Sequence, residues 1–147
     1  MTKLEKFRNG FPLVCKHHGE HLNWREHSEN NVKCNLCASQ HQKNARNKDP
    51  VKFLVKDAKQ HAKAKNREFE ISIDDVLDCL YKQNNKCALS GVEFSIDNKP
   101  SLDRINSNLG YTKDNIQLLL KEVNIMKSNL DQDKFLELCS FIGKKKK

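Results

Sequence analysis

Apolar residues fall along this chain in three zones with different periods. From position 50 to 83 the period is helical, in two pieces. Pro50 can open the first, because its missing N–H would be unpaired there anyway, and Val51, Leu54, Val55, Ala58 and Ala62 lie on one face. The second runs from Ile73 through Leu77, Leu80 and Tyr81, with Ser72 as N-cap and Asp74 and Asp75 at its positive end. Arg67-Glu-Phe-Glu-Ile-Ser between them alternates like a short extended link.

The next zone changes character. Cys87-Ala-Leu-Ser-Gly and Pro100-Ser-Leu-Asp-Arg-Ile are short apolar or alternating pieces, and Asp97-Asn-Lys-Pro between them is turn chemistry. This pattern predicts a hairpin. A helix is then expected from Thr112, carrying Ile116, Leu119, Leu120, Val123 and Met126 on one face. A last helix is expected from Asp131 to Ile142, ending at Gly143. Residues 11 to 38 have too scattered an apolar content for a core, so something else must order them.

Charge and cysteine usage narrow the classes. Lys and Arg number 27 against 19 Asp and Glu, a formal charge of +8, which favours a polyanionic partner through counterion release. Arg46, Lys52 and Lys56, with Lys48, Lys59, Lys63 and Lys65, form a candidate basic flank for nucleic acid, while Lys144 to Lys147 read as a solvated tail. Met1 to Gly10 has no apolar h-region, and no apolar run is long enough to span a bilayer. The expectation is a protein with no membrane partner, in a reducing cytoplasm (a bacterial host's, if phage-encoded). There the six cysteines serve as metal ligands or small buried hydrophobes, with Cys79, Cys87 and Cys139 in the second role.

Cys15-x2-His18 and Cys34-x2-Cys37 form two ligand pairs separated by fifteen residues. Each pair has the spacing at which a tight knuckle aims two side chains at one ion, and together they supply the three sulfurs and one imidazole of a structural Zn²⁺ site. His17 competes with His18, but the spacing favours His18. Such a staple would order a segment this poor in apolar residues. A site closed by four protein ligands leaves no position for a reacting water.

The stretch from Cys87 to Lys127 carries the chemistry. Asp103-Arg104, Gly110-Tyr111, Asn115-Ile-Gln-Leu and Asn124-x2-Lys127 succeed one another in a register that resembles the HNH (ββα-metal) endonuclease superfamily, over about 45 residues. The likeness extends to phage HNH nucleases with zinc knuckles ahead of the core. It implies an α+β fold: an N-terminal zinc-ribbon-like module over 1–45, a helical connector over 46–84 and a ββα-metal nuclease core over 85–147. It also implies a metal-dependent endonuclease that hydrolyses DNA phosphodiesters. Asp103 is a hard oxygen ligand suited to Mg²⁺ or Mn²⁺, and Asn124 supplies a second, neutral oxygen. Asn115, nine residues before Asn124, would be half a turn out of phase with it on a straight helix and about 13 Å away. Asn115 is therefore assigned to hydrogen-bonding the loop that positions the active strand, against the plainer reading of an Asn at a helix start. Lys127 lies near Asn124 in phase and is a candidate phosphate contact.

The departure from the family pattern is at position 104, where Arg104 replaces the usual general-base histidine and cannot accept a proton. This leaves two readings. In one the site is degenerate, a nucleic-acid-binding protein that kept the fold. In the other Arg104 stabilises phosphoryl charge while Tyr111 supplies the nucleophile or base, as in the PacI-like Asp-Arg…Tyr…Asn variants. Tyr111 packing the loop against the helix is the competing role. His61 is the other base considered, with nothing local in the sequence to mark it. The implied partner is double-stranded DNA, and a homodimer would explain cleavage of both strands.

Overall fold

The computed structural model describes residues 1–28 and 31–145, so the last two lysines of the basic tail lie outside the described residues. The chain divides into two compact units, Met1–Pro50 and Val51–Lys147. Its described residues form a mixed α+β arrangement with three two-stranded sheets.

The first unit starts with α1 (Lys3–Arg8), whose Thr2 and Glu5 form a reciprocal capping box. Two hairpins come next. β1 (Leu13–Cys15) pairs with β2 (Gly19–His21), and Gly19 has the positive φ of 67° that this tight return needs. β3 (Trp24–Ser28) pairs with β4 (Asn31–Cys34), placing Trp24 opposite Cys34. β4 runs directly into α2 (Asn35–Lys48), with Cys34 as its N-cap. Leu4, Leu13, Cys15, Trp24, Val32 and Cys34 form a small core. Two of those six are cysteines of the predicted metal site.

In the second unit, α3 (Pro50–Ala64) and α4 (Ile73–Lys82) form where the periodicity predicts them, and Ser72 caps α4 in a capping box with Asp75. They are not a separate connector. Ala58, Ala62 and Val76 share one core with Ile71, Cys87, Phe94, Leu102, Tyr111, Ile116, Leu118 and Leu119. Val76 and Leu119 have no exposed surface, and burying a side chain of this size stabilises the fold by about 1.5–3 kcal/mol.

The sheet of this unit differs from the sequence expectation. β5 (Pro100–Arg104) does pair in a hairpin, but its partner is β6 (Ile116–Leu120), in the register Asp103↔Gln117 and Leu102↔Leu118. The Cys87 segment instead turns on itself, with a bridge between Lys86 and Glu93. The predicted single helix from Thr112 is three elements: a 3₁₀ turn over Lys113–Asn115, then β6, then α5 (Lys121–Lys127). The reason is physical. Ile116 to Leu119 are all buried, Gln117 included, so both faces of the strand are covered and the run shows no clear period of two. α6 (Gln132–Lys144) closes the unit, capped by Asp131, and it continues through Gly143 rather than ending there.

Three details fix Tyr111 and the edge of this sheet. Gly110 passes so close to the chain at Glu68 that a Cβ on it would lie 2.5 Å from the Glu68 carbonyl oxygen. Around that contact the Tyr111 N–H donates to Glu68 O (3.0 Å) and the Glu70 N–H to Tyr111 O (2.8 Å), so the link before α4 holds Tyr111. Gln83 extends the sheet edge: its side-chain oxygen accepts the Leu118 N–H at 2.9 Å and its amide donates to Leu118 O at 2.8 Å.

Candidate functional site

In the first unit the two knuckles converge. Cys15 ends β1 and His18 lies in the turn after it, while Cys34 ends β4 and Cys37 lies in the first turn of α2. One ligand atom from each of these four residues falls within 4.8 Å of all the others. His18 Nδ1 is 3.5 Å from Cys15 Sγ, 3.8 Å from Cys34 Sγ and 3.4 Å from Cys37 Sγ, so this imidazole and not that of His17 faces the three sulfurs. The Cys37 N–H points at Cys34 Sγ at 3.4 Å, the knuckle geometry that the spacing predicts.

The thiols of the cluster influence one another. The Cys15 thiol is pulled down to about 5, first by a backbone hydrogen bond from His17 and then by His18. The Cys37 thiol is pushed up to about 11, first by its hydrogen bond with Cys15. The two thiols titrate as a pair, in which a thiolate on one sulfur is stabilised by the hydrogen that its neighbour keeps. A Cys₃His set with two sulfurs buried could hold zinc, the soft tetrahedral ion that accepts several thiolates at once.

A further histidine, which the ligand spacing does not mark, touches this cluster. His21 Nδ1 accepts the Asn23 N–H at 3.1 Å, which puts the ring proton on Nε2, 3.3 Å from Cys34 Sγ. The ring stacks on Trp24, with centroids 5.2 Å apart, and the Trp24 indole N–H donates to the His21 carbonyl. His21 is thus oriented to donate a hydrogen bond to a Cys34 thiolate from outside the four-ligand set.

In the second unit a cleft of about 370 Å³ is lined by α3 (Leu54, Asp57, Ala58, His61), β5 (Ser101 to Arg104), Tyr111 and α5 (Asn124, Ile125), with Ser128. It brings together Asp103, Arg104, Tyr111 and Asn124. Asp103, on β5, is 6 % exposed. Its Oδ2 receives Lys127 Nζ at 2.9 Å and Gln117 Nε2 at 2.8 Å. Gln117 is held in turn by Gln132 Oε1. Asn124 is anchored through its amide nitrogen, which donates to Ser101 Oγ (2.8 Å) and Leu102 O (3.3 Å). Asp103 and Asn124 therefore each keep a side-chain oxygen that these contacts do not use.

The remaining predicted residues occupy other roles. Asn115 is buried and does not line the cleft; its amide donates to Gly110 O (2.8 Å) and Asn106 O (3.1 Å) and its oxygen accepts the Asn106 N–H (2.9 Å). It clips both ends of the loop that carries β5 toward Tyr111. The phase argument from a continuous helix does not apply, because β6 separates Asn115 from Asn124. Arg104 directs Nη1 to the carbonyls of Ser107 (2.6 Å) and Leu109 (2.8 Å), and its guanidinium carbon lies 5.4 Å from the Tyr111 ring centroid. The Phe69 ring, 5.9 Å away, also packs on Tyr111. Lys127 has no exposed surface, and its ammonium binds Asp103 and the Arg104 carbonyl (3.0 Å). A phosphate on the protein surface cannot reach it. Arg46, Lys52 and Lys56 are exposed and outside the cleft lining.

No family model and no curated protein matches the sequence. Among solved structures, the type II-C Cas9 enzyme from Actinomyces naeslundii is similar at a TM-score of 0.38 and 20% identity, over 71% of this chain and 11% of that one. This chain thus corresponds to a small part of that enzyme's length. Among the described residues, no helix is long and apolar enough to cross a membrane.

Proposed function

We propose that the chain is a metal-dependent endonuclease of the HNH class, cutting DNA phosphodiester bonds in the cleft of its second unit. The observation that carries this reading is that Asp103 and Asn124 line one cleft from consecutive elements, β5, β6 and α5, two antiparallel strands followed by a helix. Two antiparallel strands followed by a helix support the ββα-metal reading, with Asp103 on the first strand of the pair rather than the second. The donor set fits a hard divalent cation. One carboxylate and one neutral amide oxygen leave most positions to water and phosphate, as Mg²⁺ and Mn²⁺ prefer. When bound there, such an ion would neutralise charge developing on the phosphoryl group.

The chain's own residues divide the remaining work. Lys127 and Gln117 fix the Asp103 carboxylate, and Asn115 fixes the loop behind it. Arg104 spends Nη1 on that loop and keeps its charge beside Tyr111, where it can attract a phosphate oxygen. The Cys₃His cluster is a structural zinc site that orders the first unit, and the exposed Arg46, Lys52 and Lys56 supply contacts to the DNA backbone. Supercoiled plasmid incubated with the protein and Mg²⁺ or Mn²⁺ tests the reading. Nicked or linear product that disappears with EDTA and in Asp103→Asn is expected. Salt-sensitive plasmid binding without cleavage across divalent ions would replace it with a DNA-binding role. Tyr111→Phe cleaving at the wild-type rate would remove the phenol from the chemistry.

A further inference from the structure

The strand that holds Asp103 offers no proton acceptor next to it, because Arg104 occupies that position and stays protonated. The cleft does hold one imidazole, and it comes from a different element. Leu54, Asp57, Ala58 and His61 are spaced i, i+3, i+4 and i+7 along α3, so they form one helical face, and all four line the cleft with Asp103 and Asn124. His61 is exposed to solvent, as a group that must meet a water molecule has to be. Tyr111 is 7 % exposed and packed by Arg104 and Phe69. A neutral imidazole nitrogen offers a lone pair that can accept a proton from water, which the guanidinium of Arg104 does not.

We propose that His61 is the general base of the cleft, supplying from α3 the imidazole that position 104 lacks. This rests on the nuclease reading above and adds to it the identity of the proton acceptor. In the step, a neutral ring nitrogen of His61 takes a proton from the attacking water as the water oxygen forms its bond to phosphorus. The P–O bond to the leaving sugar oxygen breaks with its electron pair, and that oxygen takes a proton from solvent. The charged and titratable groups that line the cleft with His61 are Asp103, Arg104 and Tyr111, with Asp57 one turn before it on α3.

The experiment compares plasmid cleavage in Mn²⁺ by wild type, His61→Ala, His61→Gln and Asp103→Asn, with and without added imidazole. Ring signals of His61, assigned by their loss in His61→Gln, are followed by NMR as Mn²⁺ is added. The expected results are a loss of about a hundredfold or more in both His61 variants, partial recovery of His61→Ala by imidazole, and broadening of the His61 signals by Mn²⁺. That broadening should be weaker in Asp103→Asn. Cleavage by His61→Ala within a few-fold of wild type, with Asp103→Asn inactive, would overturn the proposal and leave the nuclease reading standing. A loss that imidazole does not relieve, together with weakened Mn²⁺ binding, would make His61 a metal ligand and overturn its role as base. A wild-type protein that cuts nothing would overturn both readings.

Discussion

Lys127 Nζ lies 2.9 Å from Asp103 Oδ2, and neither side chain is more than 7 % exposed. A buried pair of this kind is weak support for stability as a pair, but removing one partner strands the other charge out of water. Lys127→Met should destabilise the second unit by about 3–5 kcal/mol, measured by urea unfolding. The double variant Lys127→Met/Asp103→Leu should recover most of that loss. If the single variant is as stable as wild type, Lys127 does not hold the carboxylate in solution.

Asn115 makes three hydrogen bonds from a buried position to the loop that joins β5 to Tyr111. Asn115→Ala should cost about 1–3 kcal/mol, the desolvation of the backbone groups it leaves unpaired. Asn115→Asp keeps the acceptor but loses both amide donations, so it should not restore stability. Faster amide hydrogen exchange confined to residues 105–111 would be the accompanying signature, and unchanged exchange there would refute the clip.

Gly110 is required by proximity rather than by its dihedral angles. A Cβ would meet both the carbonyl oxygen of Glu68, at 2.5 Å, and the Glu68 side chain, at 2.6 Å. One partner is backbone and cannot rotate away. Gly110→Ala should therefore separate the 68–70 link from Tyr111 and destabilise the unit by about 1–3 kcal/mol, as overpacking does. Thermal unfolding checks this, and an unchanged melting temperature would mean that the close approach is not kept in solution.

The Cys₃His cluster carries a prediction with a definite sign. Cys15, lowered to about 5, is already a thiolate at neutral pH, whereas Cys37, raised to about 11, carries a proton that a metal must displace. Zinc binding at pH 7 should therefore release at least that proton, and affinity should fall by at least about tenfold for each pH unit of acidification. The fall should steepen below about pH 5, where Cys15 also protonates. A competition titration with a chromophoric chelator between pH 6 and 8 reads the slope, and a flat profile would contradict it.

His21 gives a separate test of the same cluster. Its Nε2–H faces Cys34 Sγ at 3.3 Å, so His21→Phe should keep the stacking on Trp24 but lose the hydrogen bond to sulfur. Loss of such a partner weakens metal affinity by about 10–100-fold. Cobalt substitution provides the check, because the sulfur-to-cobalt charge-transfer band should shift in the variant while the four-ligand spectrum persists.

The sequence determined those features that depend on short spacing or on one strong local period. Two x2 knuckles fix which four side chains can meet, since a tight turn leaves few other geometries, and the four converge. Two helices with clear stripes and a capping serine formed where they were expected. The tertiary structure decided what depends on burial from both sides and on contacts far apart in the chain. Ile116 to Leu120 read as part of a helix because a strand covered on both faces carries no alternation, so the partner of β5 was legible only once the sheet had formed. Lys127 looks like a phosphate contact from its helical phase, yet its length lets it reach back to Asp103 and the backbone of Arg104, a choice no local pattern encodes. His61 has no neighbour in sequence to mark it. Only the packing of α3 beside β5 and α5 puts its imidazole in the cleft with Asp103 and Asn124.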